Sequence, residues 1–126
     1  MPNPTEITLH RKSRVLEIAF EDGRRFRLPC EFLRVYSPSA EVRGHGSGQE
    51  TLQIGKEDVS ITELRPVGNY GIAPNFSDGH NTGIYTWEYL YDLGARRDQL
   101  WNEYQLKLEQ AGQPHRNPAA PKGIPE

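Results

Sequence analysis

Asn75-Phe76-Ser77-Asp78-Gly79-His80-Asn81-Thr82-Gly83-Ile84-Tyr85-Thr86-Trp87-Glu88-Tyr89-Leu90-Tyr91-Asp92-Leu93-Gly94 is the stretch on which the reading of this chain turns. It holds an Asp-Gly turn with a histidine directly after it, then Thr86 in the position of an N-cap and Glu88 in the first helical turn, where the helix dipole favours an acid. Trp87, Leu90 and Tyr91 supply an apolar face, and Gly94 ends or kinks the helix. Upstream the pattern is that of strands; downstream it is helical and then proline-rich. The order predicts an α+β fold: a small antiparallel β-rich domain with short helices and a C-terminal helix.

The same signals occur earlier. Arg14 to Phe20 and Arg24 to Leu28 flank Glu21-Asp22-Gly23. A two-residue loop would set Ile18 beside Arg27 and Phe20 beside Arg25, mixing apolar and charged side chains on one face. A three-residue loop pairs Ile18 with Phe26 and Leu16 with Leu28, with Gly23 in the left-handed position, and is the register expected. Phe20-Glu21-Asp22-Gly23 resembles Phe76-Ser77-Asp78-Gly79, and Glu31-Phe32-Leu33 resembles Glu88-Tyr89-Leu90. Any strand, turn and helix start will look alike, which is the plainer reading; duplication is the alternative.

The remaining elements follow from alternation and punctuation. Thr5 to His10 alternates as a half-buried strand, and Cys30 to Tyr36 reads as a short helix stopped by Ser37-Pro38-Ser39. Ala40 to Gln49 is polar, glycine-rich and read as a loop. Thr51 to Ile54 and Val59 to Leu64 are expected as strands around Gly55-Lys56, followed by a turn at Pro66, Gly68 and Asn69 and a strand from Tyr70 to Phe76, with Pro74 at an edge or a bulge. Leu100, Trp101, Tyr104 and Leu108 form one stripe of a C-terminal helix, packing on the sheet or, failing that, on a second copy. The expected organisation is a frayed N-terminus at 1–4, a single domain at 5–111 with its C-terminal helix at 95–111, and a disordered Pro-rich tail at 112–126 whose removal leaves the fold intact.

Composition narrows the function. The 126 residues suffice for one core without covalent staples. A net charge of -2 gives no field that would steer nucleic acid to the chain. The single cysteine, Cys30, excludes a disulfide framework or a multi-thiolate zinc site. With no signal pattern at the N-terminus and no apolar run near ~18 residues, a cytoplasmic protein that does not enter a membrane is expected. Ser37, Ser39, Ser47 and Cys30 lack a nucleophile elbow or a paired base, so no enzyme activity is expected.

His80 stands out because it follows a tight turn beside Asp78. It is a candidate metal ligand for iron or zinc, with Asp78 or His45 as companions; the plainer alternative is a ring held by neighbouring backbone groups. His80, Tyr85 and Trp87 are also the candidate contacts for a protein partner, with the chain a monomer or a homodimer.

Leu33-Arg34-Val35-Tyr36-Ser37-Pro38-Ser39-Ala40-Glu41-Val42 and Asp78 to Leu90 together resemble the N-terminal domain of gamma-butyrobetaine and trimethyllysine hydroxylases, which also occurs alone as the DUF971 family. The resemblance implies a compact, strand-rich domain. It also implies where a zinc ion would lie, because the hydroxylases follow the Leu-Arg segment with three cysteines and add a later histidine. Those positions fall on Ser37, Ser39, Val42 and His80, so the thiolates are missing and the zinc of the relatives is not expected. The catalytic iron of the hydroxylases belongs to a separate domain. Fusion of a similar domain to an iron-sulfur carrier in some plant proteins implies a role beside metal trafficking. The expectation is thus a non-catalytic accessory or interaction domain, with a metal-binding protein as the alternative.

Overall fold

The structure, a computed structural model, describes residues 2–43 and 51–115, apart from the Glu41 side chain. Two three-stranded antiparallel sheets form around one core. The first has the order β1 (Pro4–His10), β2 (Val15–Phe20), β3 (Arg25–Pro29) and is followed by helix α1 (Cys30–Val35). The second has the order β4 (Ile61–Val67), β5 (Gly71–Phe76), β6 (Tyr85–Thr86) and is followed by α3 (Trp87–Ala95). A single helical turn, α2 (Ala40–Arg43), lies between the two sheets in sequence, and α4 (Arg97–Gln110) closes the described chain.

The β2–β3 register is the one that segregates apolar from charged side chains: Leu16 pairs with Leu28, Ile18 with Phe26 and Glu17 with Arg27. Gly23 takes φ +89°, and the Phe20 carbonyl accepts from its N–H. The second Asp-Gly turn has the same form, with Gly79 at φ +92° and its N–H on the Phe76 carbonyl. In each turn the aspartate side chain accepts the backbone N–H two residues on, from Arg24 in one and His80 in the other. The two halves therefore share element order as well as turn geometry. They differ afterwards: Arg25 enters β3 at once, whereas 81–84 leave the ladder and only Tyr85 and Thr86 pair with β5.

Three expectations for the middle of the chain are corrected. Thr51 to Ile54 is not a strand; Thr51 donates to the Val42 carbonyl, and the Gln53 carbonyl accepts the Tyr104 hydroxyl. Ala40 to Arg43 is helical rather than loop, with Arg43 N–H on the Ser39 carbonyl. β4 starts later and runs through Pro66 to Val67, because β4 is an edge strand and an edge tolerates a missing N–H. Pro74 sits in β5 beyond the reach of β6, where β5 has a neighbour on one side only, as its edge reading anticipates.

The core joins Leu16, Ile18, Phe26 and Leu28 of the first sheet to Phe32 and Leu33 of α1, Ile72, Phe76 and Tyr85 of the second sheet, and Leu90 and Leu93 of α3. Thr86 caps α3 by accepting the Tyr89 N–H. Gly94 does not end this helix. It lies inside α3, and a Cβ there would fall 2.3 Å from the Phe26 ring, so its missing side chain is what lets α3 close on β3. The chain bends at Arg96, and the stripe Leu100, Trp101, Tyr104 and Leu108 is buried within this chain's own core, in part against α1: Trp101 meets Phe32 edge-on, and Tyr36 donates to the Leu100 carbonyl. The residues after α4 also pack back, since His115 lies against Trp101 and pairs with Glu31 at 2.7 Å. The first residues of the expected tail thus belong to the folded body, while 116–126 lie outside the described residues.

Candidate functional site

The Asp78–His80 turn docks against the end of α1. Asp78 Oδ2 accepts from Arg34 Nε at 2.9 Å and Lys56 Nζ at 2.7 Å, while Oδ1 holds the His80 N–H. Burial opposes ionisation of Asp78, but the bonds from Lys56, the His80 backbone and Arg34 outweigh it and hold the carboxyl down at about 2. Asp78 therefore orients the backbone of His80. The ring's Nε2 is 2.8 Å from the Ser37 hydroxyl, across a separation of 43 residues, and the ring lies beside Phe76.

A serine within hydrogen-bond reach of a histidine is the geometry of an activated nucleophile, but access decides its chemistry. Ser37 has no exposed surface, and His80 only 8%. A Cβ at Gly83 would lie 2.5 Å from the Ser37 oxygen, which measures how tightly the chain closes over the pair. It acts as a buried polar lock between the end of α1 and the second turn. Cys30 is also sealed, and burial raises its thiol to about 11.

The described residues do not present a ready set of metal donors at this turn. A zinc ion with ligand bonds of about 2.0 to 2.3 Å holds neighbouring donor atoms roughly 3.5 Å apart, and the Ser37–His80 pair is closer than that and bonded directly. Ser39 offers a hydroxyl and Val42 an alkyl group, both buried. Asp78 is committed to two cations, and His45 lies outside the described residues. Among the described residues no three His, Cys, Asp or Glu side chains gather as a metal would require.

The expected partner contacts are also revised. Tyr85 is fully buried and donates to the Leu33 carbonyl, and burial raises its phenol far above the ordinary value. Like His80, it is part of the interior. Trp87 reaches the surface in part, with its indole N–H on the Asn69 carbonyl.

What the sequence does not reveal is a cleft of about 530 Å³ between α1, α2, the 51–53 segment, α3 and α4. Val35, Val42, Leu52 and Leu93 give it apolar walls, and Tyr36, Tyr89 and Tyr104 contribute aromatic ones. Each tyrosine hydroxyl donates to a backbone carbonyl, of Leu100, Tyr36 and Gln53 respectively, so the three rings are held in place before anything binds. Burial pushes Tyr36 up to about 12 and raises Tyr89 and Tyr104. Arg43 covers the Tyr89 ring at 5.8 Å and donates to its hydroxyl; Arg96 and Lys107 add positive charge, against Asp92. The only signal for this cleft in the sequence is the spacing of Tyr89, Asp92, Leu93 and Arg96 along one helix face.

Residues 7–91 match the family model described as gamma-butyrobetaine hydroxylase-like, N-terminal. An NMR solution structure is 44% identical over 94% of this chain and 93% of its own, with a TM-score of 0.79. A second NMR structure is 49% identical over 89% and 83%, with a TM-score of 0.77. A crystal structure of a protein of unknown function of the DUF971 family, from Acidithiobacillus ferrooxidans, is 47% identical over 74% and 93%, with a TM-score of 0.61. Among curated proteins none matches the chain.

Proposed function

This chain belongs to the family of gamma-butyrobetaine hydroxylase-like N-terminal domains, the DUF971 family, and on that premise we propose that it is a non-catalytic accessory domain that seats a partner protein in the cleft beneath α3. The observation that carries the reading is the lining of the cleft: three locked tyrosines and Arg43 over an apolar floor. Tyrosine and arginine are the residues on which interface energy concentrates, because they bury large rigid surfaces and keep a polar end to satisfy. Their hydroxyls are already bonded, so a partner meets a preorganised surface and little ordering cost arises on binding.

Leu52→Asp and the pair Arg43→Glu with Lys107→Glu place charge on the floor and reverse it on the rim. Affinity capture compared by mass spectrometry should lose the same proteins with both variants while their thermal melting stays near that of the parent. Retention of every captured protein by both variants would remove the basis for the cleft. A metal-binding role with His80 as ligand requires the Ser37 bond to open. Elemental analysis of protein purified without chelator reads it directly, and less than about 0.1 metal per chain counts against an affinity typical of structural sites.

A further inference from the structure

The charges around the cleft beneath α3 narrow what fills it. Its lining carries Arg43, Arg96 and Lys107 and one acid, Asp92. Asp92 is spent on Arg96: the two lie one helical turn apart, and Arg96 Nε and Nη2 meet its two oxygens at 3.1 and 3.0 Å, which leaves the pair neutral toward an occupant. Arg43 and Lys107 are not neutralised in this way. Arg43 lies over the Tyr89 ring and gives an N–H to its hydroxyl, and Lys107 makes neither an ion pair nor a side-chain hydrogen bond with the described residues. Three further acids act on the tyrosines of the cleft. Of these, Glu103 accepts from Gln99, Glu31 pairs with His115, and Glu57 lies on the Tyr104 side; none lines the cleft or comes within ion-pair distance of Arg43 or Lys107.

The two cations stand at different parts of the rim. Arg43, at the end of α2, belongs to the Tyr89 side, whereas Lys107, in the last turn of α4, follows Tyr104 by one turn on the same helix face. Between them the surface is apolar and aromatic, with Leu52, Tyr36 and Tyr89 half-buried. The tyrosine protons are already given to backbone carbonyls, so the charged donors at the rim are those of Arg43 and Lys107, and only an occupant that brings acceptors satisfies them. A volume of about 530 Å³ falls in the range of about 300 to 1,000 Å³ in which proteins enclose a compact apolar group with a few polar anchors.

We infer that the partner seated in this cleft presents a bulky apolar or aromatic side chain between acidic residues: the apolar group covers Leu52 and the faces of Tyr36 and Tyr89, and the flanking carboxylates reach Arg43 and Lys107. This rests on the reading of the cleft as a docking site and adds the chemistry of its occupant. A purely apolar segment would bring two cations without acids to a drier rim, and a purely acidic one would leave the apolar surface uncovered; neither matches the whole lining.

The test uses the full chain and three short unlabelled peptides of equal length: one with a tryptophan between glutamates, one with the tryptophan between lysines, and one with alanine between glutamates. Calorimetric titration should show saturable binding of the first and binding at least about tenfold weaker of the other two. Arg43→Glu with Lys107→Glu should weaken the first peptide at least about tenfold, because like charges then face each other across the contact. Arg43→Gln with Lys107→Gln, which adds no repulsion, should weaken it less and flatten its dependence on salt. Backbone amide shifts on addition of the first peptide should fall on 35–37, 51–53 and 89–93. Absence of binding, equal binding of the lysine peptide, or binding that both double variants leave unchanged would overturn the inference. Equal binding of the alanine peptide would also overturn it by making the rim a general polyanion surface, and equal binding of free indoleacetate would do so by making the cleft a small-molecule site. Failure here is distinguishable from failure of the docking reading. If Leu52→Asp still removes captured proteins while the acidic peptide does not bind, the cleft remains the docking site and its acidic selectivity falls; if Leu52→Asp removes none, both fall.

Discussion

Asp78 receives two cations on one oxygen and the His80 backbone on the other, and through Arg34 it ties the second turn to α1. Because its carboxyl is held at about 2 when folded, its contribution is complete above the ordinary aspartate value of about 4 and is lost as pH falls through about 2. Asp78→Asn should therefore be less stable than the parent in urea titrations near neutral pH, with the gap closing as the parent's own Asp78 becomes protonated. A gap that stays constant through that range would show that the ion pairs contribute nothing. The residue types of this site were visible in the sequence, but the structure gives His80 a buried place beside the Ser37 hydroxyl. No local pattern joins it to Ser37, 43 positions away; only the family resemblance set the two side by side before folding showed their bond.

Gly94 shows how an element can be read correctly while one residue in it is misread. The start of α3 was legible, since Thr86 and Glu88 act within a single turn of chain. The glycine was read as local punctuation, but its role is set by Phe26 on a strand 68 positions earlier in sequence. This separates two rules. An exposed helical Gly→Ala change gains up to about 1 kcal/mol from propensity, whereas forcing a methyl group into a packed ring costs about 1 to 3 kcal/mol. Gly94→Ala should therefore destabilise the protein, read as a lower urea midpoint with an unchanged slope; a rise in the midpoint would show that the Phe26 contact gives way freely. The β2–β3 hairpin, by contrast, needed no distant information. Its turn and register involve residues a few positions apart, and a one-residue slip would have put Arg25 and Arg27 on the core face.

At the scale of the molecule, the two strand–turn–helix halves share one core, and α4 with the following segment seals it. His115 packs on Trp101 and pairs with Glu31, so removal of 112–126 should lower the melting temperature, and His115→Ala should reproduce part of the loss. Equal melting of all three proteins would return these residues to the status of a passive tail. The described residues contain no helix long and apolar enough to cross a membrane. The sequence by itself determined the α+β class, the first hairpin with its register, the capped start of α3, the apolar stripe of α4 and the family, because each rests on periodicity, turn chemistry or motif within a short span. Only the tertiary structure decided that Thr51 to Ile54 leaves the sheets, that Tyr85 and His80 face inward, and that a cleft forms beneath α3. Those outcomes depend on which side chains meet across the fold, and contact between distant segments is a property of the packed chain, not of any window along it.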